Sequence, residues 1–233
     1  MPTFCRPFAL SAALLAFPGC AFAAEPVRSI GIYVEPYYRS APTPDGQPRV
    51  AVGQKYDHLL ASSKPADILA VRDLIAADPK LVTPMTLMVL AIRFYDVGLR
   101  DDAVFWFYVA KERHIVLSDV LDVRALAQAD DAVHSFAALA GAFINGYAFC
   151  DLAKQGELHA KAVDWVESNP YEVMFMARFP ALPGDRAANL KRAIVAARER
   201  VAQERAHFED PKIREAFFAT RKSNGTEDKF CWK

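Results

Sequence analysis

Neither sign of charge prevails in this chain: 28 lysines and arginines stand against 28 aspartates and glutamates. A neutral chain carries no electrostatic footprint for the phosphates of nucleic acid, so no nucleic-acid partner is expected. Catalytic signatures are missing too. There is no Gly-x-Ser-x-Gly elbow, no phosphate-binding glycine loop, no His-Glu-x-x-His and no Cys-x-x-Cys. The five histidines, His58, His114, His134, His159 and His207, never stand three or four residues apart from one another, so no two of them share a helix face as a helix-borne metal site requires. No catalysis, no metal and no cofactor are therefore expected. Two isolated chemical candidates remain: the adjacent Asp57 and His58, whose side chains should point apart, and Glu35, which reads as a solvated edge-strand glutamate.

Long apolar runs are confined to the N-terminus. Arg6 is the sole charge before Glu25, Phe8 to Phe17 is an apolar run, and Ala21-Phe22-Ala23 closes it with small residues around a bulky one. This is the pattern of a secretory signal peptide over residues 1–23, and the run is too short to span a bilayer. A competing reading takes Gly19-Cys20 as the end of a lipobox with Cys20 as a lipid anchor. Phe17 occupies the place where that motif favours Leu, so cleavage after Ala23 is preferred. Nothing downstream is long and uncharged enough for a transmembrane segment. The mature chain, 24–233, is expected to be periplasmic or secreted.

Cysteine is nearly absent from that mature chain. With Cys5 and Cys20 in the signal peptide, Cys150 and Cys231 are the one remaining pair, and an oxidising compartment should join them as a disulfide.

What is present is mostly helical pattern. Ile30, Ile32 and Val34 alternate with Gly31, Tyr33 and Glu35, and Thr43-Pro44-Asp45-Gly46 is a turn, which together predict a small β-hairpin over about 28–53. From about 64 to 222 the apolar spacing becomes helical. Pro65 opens a helix stopped by Asp78-Pro79, and Thr83-Pro84 opens a second that ends at Gly98. Asp101 or Asp102 caps a third, which contains the row Phe105-Trp106-Phe107-Tyr108. Further helices are expected over about 130–154, 157–168, 184–208 and 211–221. The fold class is mainly α: a single domain built as an antiparallel helical array.

Leu87, Leu90, Ala91 and Phe94, followed by Ala103, Trp106, Phe107 and Ala110, resemble the two helices of a tetratricopeptide or Sel1-like repeat unit. A weaker second unit can be placed on Gly146, Phe149, Leu158, Ala162, Trp165 and Pro170. The two units lie 55 to 59 residues apart, unlike the regular period of a solenoid. The resemblance implies a compact, repeat-like domain in which the aromatic row is mostly core, with Trp106 or Tyr108 the candidates to line a concave binding surface.

Two further stretches suit a protein partner. Pro170 to Pro183 holds Met174, Phe175 and Met176 in an adaptable apolar segment, and Arg198 and Arg205 continue a basic stripe that starts at Lys191. Size, export, a disulfide and the lack of catalytic motifs together resemble periplasmic inhibitor or immunity proteins that neutralise a toxin or hydrolase. A Sel1-like adaptor of an envelope assembly is the alternative within binding proteins. A periplasmic hydrolase with an unrecognised acid site is the alternative among enzymes.

Overall fold

The computed structural model describes Ile30 and residues 55–232. The signal peptide expected over 1–23 lies outside the described residues, and so does the hairpin expected over 28–53 except for Ile30, which is buried and donates its backbone N–H to Asp96 at 2.5 Å. Among the described residues the α-helices are α1 (Asp57–Leu60), α2 (Pro65–Ala77), α3 (Pro84–Asp96), α4 (Arg100–Ser118), α5 (Ala127–Ala148), α6 (Leu152–Ser168), α7 (Arg186–Glu209), α8 (Pro211–Ser223) and α9 (Thr226–Phe230). The described β structure is one antiparallel bridge, Leu121 with Ala181.

Helix starts follow local chemistry. Pro65 and Pro84 sit in first turns where no amide partner is needed, and the Thr83 hydroxyl accepts the Thr86 amide at 3.0 Å. Gly98 takes φ +86°, a left-handed conformation that lets α3 turn back as α4. Neither Asp101 nor Asp102 is the cap that was expected. Arg100 already begins α4 after Leu99, so both aspartates lie inside its first turn, where they complement the helix dipole. The helix expected over 130–154 is also divided: α5 ends at Ala148, and the Asp151 side chain caps α6 by accepting the Lys154 amide at 3.0 Å.

The core is centred on α4, which packs against α3, α5, α6 and α7. Cover on so many sides explains how Trp106, Phe107 and Tyr108 can all be buried in sequence, with Phe105 left half-buried. Ala91 and Ala103 are fully buried where α3 and α4 meet, the place where small residues permit close approach. Arg113 pins the far end of α4. Its guanidinium donates to the carbonyls of Pro79, Val82 and Asn169 at 2.6–2.9 Å and lies 4.7 Å from the Trp165 ring; burial lowers its pKa to about 10.

The C-terminal segment folds back onto the α5–α6 junction. Cys150 and Cys231 are joined as a disulfide with a Cα–Cα distance of 5.5 Å. Phe230 covers Gly146 so closely that an added Cβ would lie 2.8 Å from the ring, and Arg221 donates to the Gly146 carbonyl at 2.8 Å.

Candidate functional site

Three helices each contribute a polar pair spaced by four residues, which places both members of each pair on one face. The pairs are Tyr108 and Glu112 on α4, Gln155 and His159 on α6, and Arg200 and Glu204 on α7, and the three faces meet inside the bundle. His159 Nε2 lies 3.0 Å from Glu112 and its Nδ1 lies 2.9 Å from Glu204. Arg200 donates to the other Glu112 oxygen at 2.9 Å. Gln155 Nε2 donates to the Tyr108 hydroxyl at 2.8 Å and reaches Glu204 at 3.3 Å, while the Tyr108 ring stacks on His159 at 4.2 Å.

These contacts fix the charge states. Burial alone would pull His159 down, but its hydrogen bonds to Glu112 and Glu204 outweigh that, and the imidazole is held above its ordinary value. Burial likewise pushes Glu112 up, and its bonds to His159 and Arg200 override it and hold the carboxyl low. The hydrogen bond to His159 keeps Glu204 below the usual carboxylate value, and burial drives Tyr108 upward. Glu112 and Glu204 thus face His159 and Arg200, and both imidazole nitrogens are engaged. The cluster thus ties α4, α6 and α7 together as a buried lock, although Arg200 Nε is buried in it without a hydrogen-bond partner.

A cleft of about 630 Å³ lies next to this lock. Its walls come from the start of α4, the end of α5, the first turns of α6 and the C-terminal Cys231 and Trp232. The Arg100 guanidinium stacks 3.5 Å from the centre of the Trp232 ring and lies 5.3 Å from Tyr147 and 5.8 Å from Tyr95. Its Nε is buried without a hydrogen-bond partner, and among the described residues no carboxylate forms an ion pair with it. Asp101 is engaged by Lys154 and by the Tyr147 hydroxyl at 2.9 Å. Gln155 lines the cleft and donates to Tyr108, so one side chain connects the cleft to the lock.

The residues singled out from the sequence are scattered. Trp106 and Tyr108 are buried, Trp106 against the edge of Trp165 at 5.4 Å, so neither lines an open concave surface. Met174 is buried, Met176 is half-buried and Phe175 is 45% exposed. The connector carbonyls of Met174 and Met176 are held by Arg186 at the start of α7. Arg198 and Arg205 lie about 18 and about 28 Å further along that helix at ~1.5 Å per residue, so the apolar stretch and the basic pair are not in direct contact. Arg198 is also neutralised by Asp164 and Glu167, and Arg205 donates to the Gly156 carbonyl at 2.9 Å. The stripe is thus a solvated face with local ion pairs. Asp57 and His58 form no pair, and Glu35 lies outside the described residues.

The sequence reading missed the lock and the cleft. Its available signal was the three polar pairs at four-residue spacing, each of which resembles an exposed helix face until the bundle is assembled.

No family model and no solved structure matches the chain. A protein of Haemophilus influenzae, described as uncharacterized, is 35% identical over 208 residues, covering 89% of this chain and 81% of the relative. Identity at this level over nearly the full length of both proteins places the chain in the same family as that Haemophilus influenzae protein.

Proposed function

We propose that the protein is an exported binding module without catalysis, an inhibitor or immunity-type protein that neutralises a toxin or hydrolase. The cleft at Arg100 is where its protein partner docks. One observation carries this reading: among the described residues Arg100 is a cation without a carboxylate partner, stacked on Trp232 in an open cleft whose wall is fastened by the Cys150–Cys231 disulfide. Aromatic and arginine side chains held rigid in a pocket are the usual energetic anchors of protein interfaces. An acidic or carboxylate group of the partner would complete the charge on Arg100. The disulfide supports residence in an oxidising compartment, in keeping with the signal peptide read at 1–23. The polar cluster beside the cleft supports a non-catalytic role, because each acid and base in it is engaged by another.

Affinity capture from envelope extracts tests the reading, using the tagged mature protein as wild type, Arg100→Ala and Phe175→Ala. A single stoichiometric enzyme partner retained by wild type and by Phe175→Ala, but lost from Arg100→Ala, is the expected result. Retention by Arg100→Ala with loss from Phe175→Ala would move the interface to the Met/Phe connector. Several structural partners would replace the inhibitor reading with the adaptor one.

A further inference from the structure

His114, Asp130 and His134 converge between α4 and α5. His114 stands one turn before the end of α4, and Asp130 and His134 are four residues apart on one face of α5. His114 Nε2 lies 3.0 Å from Asp130 Oδ1, His134 Nε2 lies 3.6 Å from the same oxygen, and one donor atom from each residue falls within 4.8 Å of the others. Three ligands bound tetrahedrally at ~2.0–2.1 Å to one cation would stand about 3.3 Å apart, and the two histidine–aspartate separations, 3.0 and 3.6 Å, lie on either side of that value.

The contact between His114 and Asp130 is close but poorly aligned for a hydrogen bond. Although Nε2 and Oδ1 are at ion-pair distance, both atoms are buried and neither has a hydrogen-bond partner. His114 is only 6% exposed, so a desolvated nitrogen stands beside a desolvated oxygen without a well-aligned hydrogen bond. A cation seated between the donors would satisfy both. His134 is exposed, and a hollow of about 300 Å³ lined by Phe107, Lys111, His114 and His134 adjoins the cluster, leaving room for a water as a fourth ligand.

We propose that His114, Asp130 and His134 form a binding site for a divalent transition metal of the zinc class, with two imidazoles and one carboxylate as protein ligands and an open fourth position. Spacing among the histidines alone does not reveal the site, because its i,i+4 pair is Asp130 with His134 and its third ligand comes from another helix.

The test uses chelator-treated mature protein titrated with Zn²⁺ by calorimetry, with the cobalt(II) absorption spectrum as a second readout. Wild type should bind one Zn²⁺ per chain, and Co²⁺ should show the intense visible bands of a four-coordinate site. His134→Ala, at an exposed position, should weaken binding at least tenfold while its metal-free melting temperature stays at the wild-type value. Asp130→Asn should do the same. An unchanged zinc affinity in His134→Ala overturns the proposal, as does a cobalt spectrum like that of the aqua ion, or the failure of wild type to bind zinc below about 0.1 mM.

Discussion

His159 and His114 are both buried beside carboxylates, yet their surroundings push them in opposite directions. His159 has an aligned acceptor on each nitrogen, and the two hydrogen bonds outweigh burial. His114 is lowered by burial first; it faces one carboxylate, Asp130, and a second imidazole, His134, and burial prevails. A buried histidine is thus held charged only where the acids around it outweigh the cost of burial. The first site holds itself together, whereas the second is left open to a ligand.

The strongest way to break the contrast is Glu112→Gln. It leaves His159 and Arg200 as buried or half-buried cations without their shared anion, and should cost about 3–5 kcal/mol in urea unfolding. A loss under about 1 kcal/mol would mean that the lock contributes little to stability.

The pH dependence of stability is the next largest effect. His159 has a folded pKa above its ordinary 6.5, so its contribution is complete below 6.5 and disappears as pH rises through the folded value. Glu112 and Glu204 have folded values below 4.5, so theirs is complete above 4.5 and disappears as pH falls through the folded values. The lock therefore stabilises most between those limits. The urea midpoint of wild type should fall between about pH 5.5 and about pH 8.5 more than that of His159→Gln, and equal slopes would remove His159 as the cause.

Asp130→Asn in metal-free protein sharpens the other side. No well-aligned hydrogen bond to His114 is lost, so the change should be about 1 kcal/mol or less at neutral pH. A cost comparable to that of Glu112→Gln would show that the two histidines are held alike. The smallest effect is expected for Arg198→Ala: its partners Asp164 and Glu167 are half-exposed like itself, so chemical denaturation should register less than about 1 kcal/mol.

How much of this was legible in the sequence follows the range of the physics. Pro65, Thr83-Pro84 and Gly98 act on their own turns, and each marked a boundary that the structure has. The break after Ala148 was not legible, because Leu152, Leu158 and Ala162 continue a helical spacing, and only Asp151 as a cap interrupts it. Burial of the aromatic row was the preferred expectation. Which helices cover it depends on contacts across the bundle, which no local spacing encodes. The same limit hid the lock: Arg200 with Glu204, read alone, is an ordinary solvated pair, and only docking of α7 onto α4 brings Arg200 to Glu112.

The disulfide has a consequence for the cleft beyond closing a loop. Trp232 follows directly on Cys231, so the Cys150–Cys231 bond tethers the ring by a single residue to a cysteine that itself lines the cleft. Such a short tether makes the encounter of Trp232 with Arg100 intramolecular, at an effective concentration on the order of millimolar or above. Without the bond, the stacked pair must be recruited by the weak grip of a free tail; with it, Arg100 meets a partner already seated on its ring, and the ordering cost has been met before binding begins.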